Sequence, residues 1–135
     1  MLRIEDLSVF YERTQALWNI LLNVERKGVT VILGSNGVGK STLLNSIAGL
    51  IPLASGKIIF EGNDISNYRS DERVESGISL VPEERRVFPC MTVRENLDIG
   101  AYTKRARADT PKTQELVFQL FPVLKERAKQ LAGTL

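Results

Sequence analysis

Apolar and polar positions alternate through Leu2, Ile4, Leu7, Val9 and Tyr11, the pattern of a half-buried strand, with a slip of phase near Asp6. Residues 16 to 24 repeat the pattern after a short polar connection, which predicts an antiparallel pair rather than a crossover. The pattern then changes. Residues 29 to 33 are almost continuously apolar and β-branched, which predicts a strand covered on both faces, and they run directly into a cluster of glycines.

Beyond the glycines, Leu43, Leu44, Ile47 and Leu50 recur at helical spacing until Gly49 and Pro52, predicting a helix of about three turns. Residues 57 to 61 read as a short strand, 70 to 75 as a short helix, and 78 to 81 as a strand stopped by Pro82. Thr92 and Glu95 have the spacing of a capping box, so a helix is expected to begin there and carry Leu97 and Ile99 inward. Residues 103 to 113 are basic and polar, an exposed stretch. A last helical region, 114 to 131, is interrupted at Pro122 and ends before Gly133. Strands and helices alternate, as in α/β folds.

Composition narrows the function by exclusion. The chain of 135 residues is one domain in size, 43% hydrophobic and 25% charged, which suits a packed core and not a disordered chain. A net charge of +2 does not argue for nucleic acid. The single cysteine excludes an intrachain disulfide, and the absence of histidine excludes imidazole metal ligands and histidine-based catalytic dyads. With no histidine to activate it, Cys90 reads as a bystander. No run approaches the roughly 18 apolar residues of a transmembrane helix, and Glu5 and Asp6 interrupt what would have to be the apolar core of a signal peptide. A cytosolic location is the expectation.

Residues Gly34, Ser35, Asn36, Gly37, Val38, Gly39, Lys40 and Ser41 match the phosphate-loop pattern Gly-x-x-x-x-Gly-Lys-[Ser/Thr], between a predicted strand and a predicted helix. Phosphates are bulky anions, so the backbone must come close with its N–H groups turned inward, which glycines permit. The new helix adds unpaired N–H groups and the positive end of its dipole. Lys40 is placed to reach the β and γ phosphates, and the Ser41 hydroxyl to bind Mg2+. A nucleoside triphosphate is the expected ligand. The loop alone leaves kinases, GTPases, recombinases and transport ATPases open.

The surroundings narrow it. Tyr11 ahead of Ala16 and Leu17, the run Lys40, Ser41, Thr42, Leu43, Leu44, and the stretch Phe60, Glu61, Gly62, Asn63, Asp64, Ile65 together resemble the ATP-binding subunits of ABC transporters. Residues 81 to 89, 92 to 97 and 130 to 135 are similar to the branched-chain amino-acid uptake type. The resemblance implies an ABC-type P-loop NTPase fold in three parts: an antiparallel β subdomain over 1–26, the P-loop core and Q-loop over 27–91, and the start of a helical subdomain over 92–135. It further implies ATP and Mg2+ as cofactors, with residues 34 to 41 and Thr42 around the nucleotide. Tyr11 would stack on adenine, although read without the resemblance it is a strand-end core tyrosine. The family places glycine after that aromatic where this chain has Glu12. By the resemblance, Glu83 stands where most relatives carry the glutamine that touches Mg2+ and the attacking water; the alternative reading is a solvated charge in an acidic-basic run. Arg85 and Arg86 read as exposed, and Val87 and Phe88 as part of an apolar contact with membrane subunits.

Four further elements of the family are not found: the Leu-Ser-Gly-Gly signature, the strand ending in Asp followed by the catalytic Glu, the Asp loop and the switch histidine. The chain therefore reads as the first part of a longer subunit, its RecA-like core incomplete. Nucleotide binding without appreciable turnover is expected of these residues alone. The implied partners are ATP, a second ATP-binding subunit (homo- or heterodimer) and membrane permease subunits, with no nucleic acid; the implied location is the cytoplasmic face of the membrane. Urea or short-amide importers and soluble ABC-type ATPases of DNA repair or translation are the alternatives. A small-molecule kinase using Arg105 and Arg107 in a lid fits the segments around Tyr11 and Thr92 poorly.

Overall fold

Ten residues of alternating polarity form β1 (Leu2–Tyr11), which turns through Glu12 and Arg13 into the antiparallel β2 (Thr14–Val24), with Tyr11 opposite Thr14 and Leu2 opposite Val24. The structure, a computed structural model, describes residues 1–84 and 86–135. The slip of phase near Asp6 is a shift of register between Ile4 and Leu7, where Asp6 takes a φ of 47°. A bulge of this kind reverses which face the following residues point to. It explains how Ile4, Leu7 and Val9 are all buried despite their uneven spacing.

Between β2 and the next strand come the glycine loop and α1 (Lys40–Ile47). β3 (Ser55–Phe60) then pairs with the free edge of β1, and β4 (Asn63–Asp64) pairs with β3, giving a four-stranded antiparallel sheet ordered β2-β1-β3-β4. Ile4, Leu7, Val9, Leu17 and Ile58 from the sheet, Leu43 from α1, and Ile65 form one buried cluster. Each aliphatic side chain sealed in this way contributes about 1.5–3 kcal/mol. Leu43 is therefore the anchor that ties the helix after the glycine loop to the sheet. α1 has eight residues, a little over two turns rather than three, and Leu44 and Leu50 of the predicted apolar face are exposed. α2 (Ser70–Ser76) follows the predicted helix closely and ends at Gly77.

Two predicted strands are not formed. Residues 29–33 and 78–81 carry no ladder, and no described segment pairs with either. Ile32 and Ile78 pack against the core, but Val29, Val31 and Leu33 are 93%, 69% and 85% exposed, and Val81 is 90% exposed. The apolar composition anticipated cover on both faces, whereas among the described residues only one is covered. Without a neighbour to exchange backbone hydrogen bonds, an apolar run is not a strand.

The chain divides into two compact units, residues 1–80 and 81–135. In the second, Thr92 caps α3 (Val93–Gly100): its hydroxyl accepts from the Glu95 N–H at 3.2 Å, while the Glu95 carboxylate accepts from the Thr92 N–H at 2.7 Å. This is the predicted capping box. Val93 is the buried residue of α3, with Leu97 and Ile99 half-buried. The basic stretch is not featureless: it holds the short α4 (Lys104–Arg107), whose cap Thr103 is buried, and the start of α5 (Thr110–Leu120). The predicted interruption at Pro122 separates α5 from α6 (Pro122–Glu126). The chain then returns beside the start of α3, where Val93 donates to the Gln130 carbonyl at 2.9 Å and Ala132 to that of Met91 at 2.8 Å. No described helix is long and apolar enough to cross a membrane.

Candidate functional site

α1 begins at Lys40 with Gly39 as its cap, at a φ of 98° that an L side chain rarely adopts, and the cap residue itself offers no side chain to the first N–H groups. The first backbone bond of the helix runs from Leu43 to the Gly39 carbonyl. By helix geometry the N–H groups of Lys40, Ser41 and Thr42 therefore lie outside the intrahelical ladder. The first turn also contains no acidic residue. The positive end of the helix dipole is therefore not offset by a carboxylate of its own first turn, and a helix amino terminus of this kind favours anions.

The Lys40 side chain folds back over the loop: its ammonium donates to the carbonyls of Gly34 at 2.9 Å and Ser35 at 2.6 Å. The same two bonds hold the cation over the loop that leads into α1. Gly34, Ser35, Asn36, Gly37, Val38 and Ser41 are exposed, Lys40 is half-buried and Thr42 is buried. The predicted loop residues are thus gathered into one open rim around the start of a helix.

Tyr11 lies in the same unit, at the end of β1, and is 48% exposed, as a stacking platform requires and a core tyrosine would not be. Two residues before it, Val9 stands opposite Leu17, and the Leu17 side chain closes on Gly39. Leu17 is therefore a supporting residue of the loop; in sequence it was recognisable only as part of the apolar alternation. Glu12 has a φ of 52°, the region that glycine enters freely and other residues rarely adopt. Glu83 belongs to the second unit, where it is exposed. Of its neighbours, Arg86 is exposed and lies 4.0 Å from the Glu84 carboxylate, and Arg85 falls outside the described residues.

Among the described residues no cluster of three acidic or cysteine side chains could cage a metal ion. Mg2+ needs no such cage, because it keeps several waters and binds through one or two protein oxygens together with substrate phosphates. The Ser41 hydroxyl in the first turn of α1 is an oxygen of the kind that fits it.

An antiparallel sheet that holds a glycine loop and the helix it opens between two of its strands is the arrangement of an ATP-binding cassette. The chain belongs to the ABC transporter family, which it matches over residues 17–134. It is 38% identical over its whole length to the high-affinity branched-chain amino acid transport ATP-binding protein BraG of Pseudomonas aeruginosa, and 35% identical to the probable branched-chain amino acid transport ATP-binding protein LivF of Archaeoglobus fulgidus. It spans 58% and 57% of the lengths of those two proteins. Its fold is similar to that of a nucleotide-free ATP-binding cassette from an ABC transporter, at a TM-score of 0.76 and 31% identity, covering all of this chain and 58% of the other.

Proposed function

We propose that this chain is the nucleotide-holding portion of an ATP-binding subunit of an importer for branched-chain amino acids. ATP binds with its phosphates over residues 34 to 42 and its adenine on Tyr11, with Ser41 and Glu83 serving the accompanying Mg2+. That ion, when bound, neutralises phosphate charge. The chain's own contribution is to bind and orient: backbone N–H groups of the loop and of α1 grip the phosphate oxygens, and Lys40 exchanges its two carbonyl partners for them. The observation that carries the reading is the Lys40 ammonium held at 2.9 and 2.6 Å from the loop carbonyls, at the start of a helix whose cap is a glycine and whose first turn has no acidic residue. The specificity for branched-chain amino acids is supported by the two relatives named above.

In the complete subunit, ATP binding closes two such subunits upon each other and hydrolysis reopens them, moving permease partners in the membrane from its cytoplasmic side. The transported solute never touches this chain. The 135 residues by themselves hold the nucleotide without appreciable turnover, because phosphoryl transfer needs a positioned water and a general base that this stretch does not supply. Titration with a fluorescent ATP analogue tests the reading. The wild-type chain should bind, and Lys40→Ala should weaken binding about 100-fold, in line with the loss of charge-assisted bonds to phosphate. Equal binding by the two would overturn it, and hydrolysis well above the Lys40→Ala control would overturn the statement about turnover.

A further inference from the structure

Among the described residues Arg73 is the largest fully buried side chain, 2% exposed, and it projects from α2. Its guanidinium donates to four backbone carbonyls: Nε to Tyr68 at 3.0 Å, Nη1 to Ser46 at 2.6 Å and Ile47 at 2.9 Å, and Nη2 to Ser66 at 2.9 Å. Burial pushes its pKa down from the ordinary arginine value, yet a guanidinium stays charged in proteins. A buried cation facing only main-chain oxygens is a costly arrangement unless those oxygens carry negative potential of their own.

Two of them do. Ser46 and Ile47 close α1, and the last carbonyls of a helix lack intrahelical partners and hold the negative end of its dipole. Arg73 therefore caps the far end of the helix whose first turn carries Lys40, Ser41 and Thr42. The same guanidinium holds the chain at Ser66 and Tyr68, which lead from β4 into α2. The space it occupies is left by Gly49, where a β-carbon would stand 3.0 Å from both Cδ and Nε of the arginine.

We infer that Arg73 is a positioning residue for the triphosphate: by clamping the carboxyl end of α1 it fixes the direction in which the amino end meets the phosphates. This rests on the ATP reading above. The helix is a rod of about 12 Å, so a tilt of about 5° at the clamp displaces the phosphate-facing end by about 1 Å. Misplacement on that scale is enough to cost a large part of a site built on aligned donors. A purely structural arginine would behave differently. Its loss would lower the unfolding temperature and leave the affinity of the folded molecules unchanged.

The test uses the whole chain and two substitutions. Arg73→Lys keeps the charge but offers three donors for four carbonyls, and Arg73→Met keeps the bulk and removes every donor. Titrations with a fluorescent ATP analogue and Mg2+ are run where circular dichroism shows each variant folded. From the loss of charge-assisted bonds, Arg73→Lys is expected to weaken binding about threefold and Arg73→Met at least about tenfold. Unchanged affinity in either folded variant overturns the inference.

Should Arg73→Met not fold, Arg73→Lys carries the comparison and the wild-type chain supplies an independent one. Coupling between two sites is reciprocal, so Mg2+ and ATP should slow hydrogen exchange at the Arg73 Nε–H, followed by NMR of arginine-labelled protein, by about threefold or more. An exchange rate that does not move overturns the inference as well. Lys40→Ala, titrated alongside, separates the two failures. Wild-type binding no better than Lys40→Ala removes the ATP reading and this inference with it, whereas firm wild-type binding unmoved by Arg73 substitution removes the inference alone.

Discussion

A β-carbon placed on Gly39 would stand 2.7 Å from Leu17 Cδ2 and 3.2 Å from the Ala16 carbonyl, so the last glycine of the phosphate loop is pressed against the second strand of the sheet. The antiparallel sheet thus shapes the loop directly. Gly39→Ala should cost about 2–4 kcal/mol, combining strain at a positive φ with overpacking against Leu17. It should also abolish measurable ATP binding. Gly37, at a φ of 83° and with open space where a β-carbon would stand, makes the contrast: Gly37→Ala should cost only about 1 kcal/mol, from strain alone. Urea unfolding of the two variants decides it, and equal losses would mean that the contact with β2 is not what constrains Gly39.

The hairpin turn next to Tyr11 holds a correctable strain. Glu12 and Arg13 form a two-residue connection with positive φ at Glu12 and not at Arg13, and the first position of such turns favours glycine. Glu12→Gly relieves about 1–2 kcal/mol of steric cost and returns about 0.4–1 kcal/mol through the freer unfolded chain. A net gain of up to about 1.6 kcal/mol is expected, visible as a rise in Tm. A fall in Tm would show that the Glu12 side chain contributes something its backbone strain conceals.

These cases mark how far the sequence could be read. The strand pair, the loop, the start of α3 and the break at Pro122 were legible because each is written locally, in a period of two, in spaced glycines, or in residues a turn apart. Even the bulge at Asp6 showed as a slip of phase. Residues 29–33 and 78–81 form no strand, because an apolar run reports what the chain would bury, not whether a neighbour is there to pair with it. Arg73 was invisible for another reason: its partners are backbone oxygens at 46, 47, 66 and 68, and a carbonyl leaves no mark on composition or spacing. The contact of Leu17 with Gly39 was equally hidden, since it joins β2 to a loop more than twenty residues away.

Acid should act on the sheet through Glu61. Its carboxylate accepts from Arg26 Nε at 3.0 and 3.2 Å and pairs with the Met1 amino group, and these partners hold its pKa down to about 2, the hydrogen bond from Arg26 first. The unfolded chain would protonate Glu61 near pH ~4.3. Its contribution is therefore complete above that value and is lost as pH falls from about 4.3 towards 2. Glu61→Gln should make stability less dependent on pH across this window, with the two proteins converging near pH 2. The group is exposed, so the difference should shrink at about 1 M salt. Urea midpoints measured from about pH 2 to pH 7 would show it, and parallel curves would contradict it.

Glu83, proposed above to serve the nucleotide's Mg2+, is a carboxylate, and the neutral glutamine of nearly the same size is its natural comparison. A glutamine can approach a triphosphate whether or not a metal is bound; a carboxylate repels the γ phosphate until a divalent cation stands between them. If Glu83 serves the nucleotide as proposed, ATP binding in the presence of EDTA should be about tenfold weaker in the wild type than in Glu83→Gln, equivalent to about 1.4 kcal/mol of repulsion. Saturating Mg2+ should erase or reverse the difference, since a carboxylate is the better hard ligand. A Glu83 that is merely a solvated charge predicts something else, namely Mg2+ titrations that superimpose for the two proteins. Superposition would remove Glu83 from the site while leaving Lys40 and the loop as they are, because the helix amino terminus and the ammonium bind phosphate without it.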